Sequence, residues 1–274
     1  MLFTLENERQ ILNEALVNIE LKCLKCGNEA KREVFGNKIY VRCKWTHCRS
    51  VRSIWSNTIF ERLKIKPEIV LLYARLWIEG MHPRHICLIL NISSKTYTRI
   101  FKKMIHRVVE RFYSTLGRIG GNYSIVEIDE SKFGRRKYNR GHRVDGVWVL
   151  GAVERTPQKK VFLITVPNRS ADTLIPILKR YIYRDSIIFS DCWRSYISLN
   201  THFYNHFTVN HQQGFIDSIT GVHTNTIEGT WAGVKLNIPR RCRVSSRISM
   251  FLIRYMLKKN YKQSAYNEFI KFFF

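Results

Sequence analysis

Residues 124–133 have the sequence SIVEIDESKF, in which apolar and polar side chains alternate around Asp129. A two-residue alternation of this length predicts a β-strand with one buried face. Further elements follow along the chain, with strands at residues 147–154, 161–166, 187–189 and 207–209 and helices at residues 172–183 and 225–236. This order of strands and helices predicts an α/β domain with a mixed sheet.

Three acidic residues of this domain occupy positions typical of catalytic carboxylates. Asp129 lies inside the first strand, Asp191 at the end of a later strand, and Glu228 early in a helix. Side chains at strand ends and helix starts converge in α/β sheets. Three carboxylates in one cleft would repel one another unless cations screened them, and oxygen ligands favour Mg²⁺ or Mn²⁺ over zinc. We therefore predict a two-metal site for phosphoryl transfer.

The residues next to these acids need separate interpretation. Lys235 follows Glu228 by two helical turns, so both lie on one helix face, where the lysine could hold a DNA phosphate beside the metals. Glu130 neighbours Asp129, and strand alternation predicts that only one of the two can point at the site. Glu127 is interpreted as an ordinary acid of the strand.

Four cysteines lie in two pairs upstream of this domain. Cys23-x2-Cys26 is followed, after sixteen residues, by Cys43-x4-Cys48. Two pairs at this separation can close one tetrahedral, structural zinc site. The strand-like residues between the pairs predict a hairpin, which is the layout of a zinc ribbon. His47 could replace Cys48 as the fourth ligand.

The segment between the cysteines and the α/β domain has a helical period that begins at Pro67. A short helix at residues 83–90, a turn at residues 91–93 and a long helix capped by a serine follow. This order is typical of a helix-turn-helix, and a plain helical hairpin with a solvated charged face is the alternative. The residues that would contact DNA from the long helix are Lys95, Arg99, Lys102 and Lys103.

Two more basic clusters lie close in sequence to the acidic residues. The first comprises Arg135, Arg136, Lys137, Arg140 and Arg143, and the second comprises Arg240, Arg241 and Arg243. Contact with DNA phosphates is the functional interpretation, and a solvated run of charges is the alternative.

Three sequence blocks together resemble the DDE transposases of the Merlin superfamily and their bacterial insertion-sequence relatives. The blocks are EIDESKFG at 127–134, SDCWRSY at 190–196 and HTNTIEGTWAGVK at 223–235. The zinc ribbon, helical linker and catalytic domain also occur in that order in the family. The resemblance implies an RNase H-like catalytic domain whose metal-binding triad is Asp129, Asp191 and Glu228. It further implies Mg²⁺-dependent cutting at transposon ends and joining of the 3′-OH to target DNA.

The resemblance also raises an alternative for the third catalytic position. Some bacterial relatives carry Asn there, and Asn225 lies one helical turn before Glu228. We prefer Glu228, because a carboxylate holds a divalent cation better than an amide does. Lys235 matches the lysine that often follows the family's glutamate. His223, which precedes this helix, either acts near the triad or forms a structural hydrogen bond.

The composition restricts the partners. The 46 Lys and Arg residues outnumber the 21 Asp and Glu residues, which gives a formal charge of +25 and indicates a polyanion such as DNA. A hydrophobic content of 45% excludes wholesale disorder. The acidic N-terminal segment is unlike a signal peptide, and no apolar run is long enough to span a membrane. We therefore expect a protein that is not secreted and has no membrane partner. We expect the nucleus in a eukaryotic host, or the cytoplasm and nucleoid in a bacterial one.

The sequence as a whole predicts four segments and an enzyme. The segments are an N-terminal helical segment (1–20), a zinc ribbon (21–60), a helix-turn-helix-like DNA-binding region (61–118) and the catalytic domain with a C-terminal helix (119–274). The predicted activity is that of a Mg²⁺-dependent DDE transposase of a mobile element, which works as a homodimer or higher oligomer because two DNA ends must meet. The alternatives are a catalytically inactive, transposase-derived DNA-binding regulator and a nuclease of the same fold.

Overall fold

The structure is a computed structural model that describes residues 4–18, 21–36, 38–134, 146–212, 214, 216–217 and 221–274. The chain divides into two compact units, Met1–Arg107 with Phe269–Phe274, and Val108–Glu268. Within the described residues there are eight α-helices and two β-sheets, so the predicted mixed α/β class is confirmed. The division into four segments stays a prediction.

The first unit combines a small antiparallel sheet with helices. Its elements are α1 (Leu5–Asn18), β1 (Ala30–Phe35), β2 (Lys38–Cys43), β3 (Val51–Ser53), α2 (Pro67–Ile78), α3 (Pro83–Ile89) and the first part of α4 (Ser94–Thr115). The strands pair in the order β1-β2-β3. The β1–β2 pair is the predicted hairpin. Strand β3 was not predicted, because three residues are too few to show an alternation.

Local sequence signals set the ends of the helices in this unit. Pro67 opens α2, where a missing N–H costs nothing, and Gly80 follows its C-terminus with a φ of +87°. The backbone N–H of Thr96 donates to the Ser93 hydroxyl over 3.1 Å, so Ser93 caps α4 as predicted. The core includes Trp77, which stacks on Phe269 at a centroid distance of 5.5 Å.

The second unit is built on a five-stranded mixed sheet. Its elements are β4 (Ile125–Phe133), β5 (Val147–Glu154), β6 (Val161–Val166), α5 (Ala171–Tyr181), β7 (Ile187–Asp191), β8 (Asn205–Val209), α6 (Asn225–Asn237), α7 (Ser245–Tyr261) and most of α8 (Ala265–Ile270). The strand order is β6-β5-β4-β7-β8. Strand β5 runs antiparallel to β4 and β6, whereas β4, β7 and β8 run parallel. The mixed sheet predicted from the sequence is therefore confirmed.

Helix α6 packs on β4 and β5 at the centre of this sheet, and α7 packs on β6. Most buried positions of the central strands are apolar, with Val126, Ile128 and Val149 fully buried, and Glu127 is a buried acid among them. Among the described residues, no helix combines the length and apolar character that crossing a bilayer requires.

Candidate active site

A cavity of about 420 Å³ opens in the second unit beside the centre of the sheet. Its walls come from β4, from the end of β7, from the segment after β8 and from α6. The lining residues are Ile128, Asp129, Glu130, Ser131, Asp191, His211, Thr224, Glu228, Trp231 and Lys235. The cavity therefore brings together four residues that the sequence predicts to be catalytic, from three segments that lie far apart along the chain.

Sheet topology explains why two of the acids meet. Strands β4 and β7 are parallel neighbours, with Glu127 opposite Phe189. Two residues further along each strand lie Asp129 and Asp191, the latter being the last residue of β7. The Asp191 carboxylate accepts a hydrogen bond from the backbone N–H of Trp193 over 3.0 Å, which fixes its orientation at the strand end.

Two hydrogen bonds attach α6 to β4. The backbone N–H of Ile227 donates to Glu127 Oε2 over 2.8 Å, and Trp231 Nε1–H donates to Asp129 Oδ2 over 2.9 Å. The acceptors are two residues apart on one strand face, and the donors are four residues apart on one helix face. These bonds set the position of Glu228 relative to Asp129.

Gly151 makes the close approach of this helix possible. A Cβ atom at residue 151, which pairs with Asp129 across the sheet, would lie 2.6 Å from the Trp231 ring. A side chain at residue 151 would therefore force the indole to shift, and glycine leaves it room beside Asp129.

A buried ion pair supports the same junction. Glu127 is fully buried, and the Arg155 guanidinium pairs with its Oε1. Arg155 Nη2 also donates to His223 Nδ1 and to the His223 carbonyl, each over 2.7 Å. His223 thus forms the structural hydrogen bond that was one of the two predictions for it, and Glu127 is a structural link rather than an ordinary acid of the strand.

Glu228 lies in the first turn of α6 and is partly exposed to the cavity. The Thr224 hydroxyl is 3.4 Å from Glu228 Oε1, and His211 Nε2 is 3.8 Å from the same atom. His211 Nε2 also lies 3.2 Å from the Thr224 hydroxyl. Sequence reasoning did not single out Thr224, although it lies in the block at 223–235, because a hydroxyl beside an acid carries no signal of its own. His211 was not identified because it comes from the separate segment after β8.

The carboxylates of the cavity disturb one another electrostatically. Burial raises the pKa of Asp129 from 3.8 to about 6, the hydrogen bonds from the Glu130 N–H and Trp231 oppose the shift, and the charges of Asp191 and Glu228 add to it. Burial also raises the pKa of Glu130 to about 8, with further contributions from Asp129 and Asp191. The site therefore carries more negative charge than its own surroundings stabilise.

Glu130 borders the cavity together with Asp129, and the two carboxyl groups interact. The Asp129 carboxylate accepts its side-chain hydrogen bond from Trp231 of α6. The expectation that only one of the two acids points at the site stays a prediction. The Tyr196 hydroxyl donates a hydrogen bond to Glu130 Oε1 and holds that side chain.

The donor chemistry fits Mg²⁺ or Mn²⁺. The converging ligand atoms are carboxylate oxygens, which hard divalent cations prefer. Burial raises the pKa of Asp129, and a bound divalent cation would favour its ionised form instead. The residues that could hold the metal are Asp129, Asp191 and Glu228.

The other two predicted catalytic residues lie in different places. Lys235 lines the cavity, and its Nζ lies 5.9 Å from the centroid of the Phe133 ring. Asn225 is exposed and does not border the cavity, and its backbone N–H donates to His223 Nδ1 over 3.3 Å. The structure thus places Glu228, and not Asn225, with the two aspartates.

The first unit contains a second group of potential metal ligands. The sulfur atoms of Cys23, Cys26, Cys43 and Cys48 all lie within 4.8 Å of one another. Two of the Sγ–Sγ distances are 3.7 Å (Cys23–Cys48) and 3.6 Å (Cys26–Cys43). A tetrahedral zinc site with Zn–S bonds of about 2.3 Å requires sulfurs about 3.8 Å apart. The cluster is therefore compatible with a zinc ribbon.

The four thiols are not alike, since burial raises the pKa of Cys43 to about 12 whereas the backbone at Cys23 favours the thiolate that zinc requires. Backbone N–H groups of Cys26 and Lys25 lower the pKa of the Cys23 thiol to about 6. His47 is not part of the four-sulfur group, and its ring contacts Trp45 edge-on at 5.6 Å. The structure thus brings Cys48 to the cluster in preference to the alternative ligand.

The predicted DNA contacts of α4 divide into two groups. Lys95 and Lys102 are exposed. Arg99 donates to the Arg62 carbonyl over 3.1 Å, and Lys103 donates to the Glu61 carbonyl. The second pair therefore holds a neighbouring loop of the first unit in this structure.

The two basic clusters of the second unit have different outcomes. Arg240 and Arg241 are exposed. Arg243 donates to the carbonyls of Lys235 and Ile238, so it closes the C-terminal end of α6. The first cluster lies outside the described residues, and its DNA contacts stay a prediction: Arg135, Arg136, Lys137, Arg140 and Arg143.

Comparison with known proteins adds independent information. The model of a family described as the ISXO2-like transposase domain matches residues 118–261, which is more than half of the chain. An "uncharacterized transposase-like protein" of Haemophilus influenzae is 32% identical over 81 residues. That alignment covers 30% of this chain and 64% of the relative, so the chain spans just under two thirds of the relative's length.

Proposed function

Since this chain belongs to the ISXO2-like transposase family, we propose that it is a DDE transposase that cuts DNA at transposon ends and joins the 3′-OH to target DNA. The observation that carries this proposal is the convergence of Asp129, Asp191 and Glu228 on one cavity, with Lys235 at its wall. The insertion-sequence family predicted from the motifs is confirmed. The cutting and joining steps are the proposed part.

In this proposal Asp129, Asp191 and Glu228 would hold two Mg²⁺ or Mn²⁺ ions. When bound, such a metal pair activates an attacking oxygen and stabilises the leaving oxygen of a phosphodiester. Trp231 and the backbone N–H of Glu130 each bind one oxygen of the Asp129 carboxylate, which keeps its orientation fixed. Glu228 completes the ligand set from α6, and Lys235 binds a DNA phosphate at the cavity wall.

The remaining parts of the chain would deliver DNA to this site. A structural zinc ion on Cys23, Cys26, Cys43 and Cys48 would stabilise the small sheet of the first unit. Basic side chains of α4 and of the segment after α6 would contact phosphates. Because two transposon ends must meet, a dimer or higher oligomer would be the working form. The protein would act in the nucleoid of a bacterial host or the nucleus of a eukaryotic one.

A reaction with defined DNA tests the proposal. The purified full-length protein is incubated with DNA that flanks its gene and with a target plasmid, with Mg²⁺, with Mn²⁺ and without either. Asp191→Ala should abolish cutting and joining, whereas Asp172→Ala, which removes an exposed acid of α5 away from the cavity, should retain both.

The possible results separate the three functions. Metal-dependent cutting and joining supports the transposase. Cutting without joining identifies a nuclease, and specific binding without cutting in either metal identifies a regulator derived from a transposase.

A further inference from the structure

Arg169 is held between two tryptophan side chains in the second unit. Its guanidinium carbon lies 4.1 Å from the ring centroid of Trp148 and 4.1 Å from that of Trp193. All three side chains are partly buried. A guanidinium group stacked on aromatic faces is weakly hydrated and has few orientations, so it is prepared for a planar hydrogen-bonding partner.

These three residues lie at the end of the sheet that carries the acids. Trp148 is near the start of β5, and it pairs with Lys132 of β4 on one side and Val166 of β6 on the other. Arg169 follows the end of β6, and Trp193 follows the end of β7. Since β4, β6 and β7 run in one direction, their C-terminal ends share this edge with Asp191.

Hydrogen bonds tie the cluster to the candidate active site. Trp193 Nε1–H and the Ser195 hydroxyl both donate to the Arg169 carbonyl, over 3.3 Å and 2.7 Å. The backbone N–H of the same tryptophan donates to Asp191 Oδ1. One residue therefore positions both the Arg169 backbone and a proposed metal ligand.

The hydrogen-bond donors of this guanidinium are unused within the described residues. There its side chain forms no hydrogen bond and no ion pair, although its charge acts on the nearby Glu130 carboxyl. A guanidinium group carries five N–H donors in a fork that matches the oxygens of a phosphate. Among the described residues, the cluster thus leaves this fork without a partner while limiting the motion of the side chain.

We propose that Arg169, clamped by Trp148 and Trp193, binds a backbone phosphate of the DNA strand that enters the candidate active site. This inference rests on the proposed function, and it assigns a DNA contact to a residue outside the acidic motifs and the basic clusters. The two indoles act as positioning residues that fix the plane of the guanidinium.

The salt dependence of DNA binding tests this contact. Each phosphate contact on duplex DNA contributes about 0.9 to the slope of log K against log salt concentration. Affinity of the full-length protein for a duplex of its flanking DNA is measured at several salt concentrations, without added Mg²⁺ or Mn²⁺. Arg169→Gln should reduce the magnitude of the slope by about 0.9 and weaken binding.

Lys179→Gln is the matched control. Lys179 is exposed and lies in the last turn of α5, at the end of that helix away from Arg169. The substitution removes one positive charge, as Arg169→Gln does. Its slope should equal that of the unaltered protein. Arg169→Met, which keeps an unbranched chain against the indoles, replaces the glutamine variant if the latter does not fold. An unchanged slope in a folded Arg169 variant, or equal losses in the Arg169 and Lys179 variants, overturns the proposal.

The same preparations separate this inference from the proposed function. If the unaltered protein cuts and joins DNA but the Arg169 slope is unchanged, the transposase stands and the phosphate contact is wrong. If the slope falls as expected but no cutting occurs in either metal, the contact stands and the transposase activity is wrong.

Discussion

At the residue scale, the Asp129 carboxylate combines burial, fixed orientation and neighbouring negative charge. Each of its oxygens accepts one hydrogen bond, from the Glu130 N–H over 2.7 Å and from Trp231 Nε1–H over 2.9 Å. Its pKa is nevertheless raised to about 6, chiefly by burial. The ionised form is therefore disfavoured by the fold in the absence of metal, and it is the form that the proposed chemistry requires.

Asp129→Asn should remove cutting activity and raise the stability of the metal-free protein. The pKa of this carboxyl is raised from 3.8 to about 6 in the folded protein. The free energy of unfolding therefore falls as the pH rises from about 4 to about 6, because the carboxyl ionises first in the unfolded chain. The variant should therefore gain thermal stability over the unaltered protein between pH 4 and pH 6 and keep that gain at pH 7. Thermal unfolding across this pH range measures the difference.

Metal addition gives the matching control. Mg²⁺ at pH 7.5 should raise the melting temperature of the unaltered protein, because a cation that binds only the folded state stabilises it. The shift should be much smaller for Asp129→Asn and unchanged for Asp172→Asn. A full-sized shift in the Asp129 variant would show that this carboxylate is not a metal ligand.

Arg155→Gln should destabilise the second unit by about 3–5 kcal/mol, because it leaves the fully buried Glu127 without its cationic partner. Adding Glu127→Gln should recover part of that loss, since an amide can still accept the hydrogen bond from the Ile227 N–H. Urea unfolding of both single variants and the double variant completes the cycle. Strictly additive losses would mean that the two side chains are not energetically coupled.

At the scale of elements, α6 determines whether the site is assembled. It carries Glu228 and Lys235, and its contacts with β4 depend on Glu127, Asp129 and the space above Gly151. At its other end, the side chains of Arg243 and Arg254 donate to the carbonyls of Lys235 and Asn237. The helix is thus fixed at both ends by groups outside it.

Gly151→Ala should displace α6. The protein should still fold, with a moderate loss of stability, while its cutting activity should fall strongly. The added methyl would meet the Trp231 ring at 2.6 Å, and overpacking of this kind costs about 1–3 kcal/mol. Displacing the indole breaks its hydrogen bond to Asp129, so the metal-dependent rate should fall at least tenfold. Both quantities are measured on the same preparation.

Gly229→Ala is the control on the same helix. A Cβ atom there meets open space, and alanine should stabilise the helix by about 0.4–1 kcal/mol. If Gly151→Ala retained full activity with an intact melting transition, Trp231 would not be positioning Asp129.

The elements and the acids could be predicted from the sequence because their signals are local. Alternation gave the strands β5 and β6 at their observed bounds, and the motif blocks gave Asp129, Asp191 and Glu228. Short or irregular segments lack such signals. Strand β3 has three residues, and the Phe-rich end of the chain shows no clear period.

The supporting residues could not be predicted for a different reason. Arg155 is one arginine among many, and only the pairing of β5 beside β4 brings it to Glu127. Arg169 and Trp148 are twenty-one residues apart, and no spacing rule links them. Contacts of this kind depend on tertiary structure, which a local pattern does not encode.

At the scale of the whole molecule, the two units should respond differently to loss of zinc. Cys43→Ser should reduce bound zinc and destabilise the first unit, because metal affinity is folding free energy in small zinc modules. Zinc content and the unfolding transitions of the full-length protein are the measurements. Cys192→Ser, which changes an exposed thiol of the second unit, should keep the zinc content of the unaltered protein.

The membership of Phe269–Phe274 in the first unit has a consequence for biosynthesis. The Ile59 N–H donates to the Phe273 carbonyl over 2.9 Å, and Phe269 stacks on Trp77, so these residues belong to a core whose other members are made before them. On the ribosome, the first unit is begun before the second and completed after it. The aromatic side chains of the first unit therefore lack their final packing partners while the second unit is synthesised. Such a nascent chain would need to be protected by chaperones for longer than a chain whose units finish folding in the order in which they are translated.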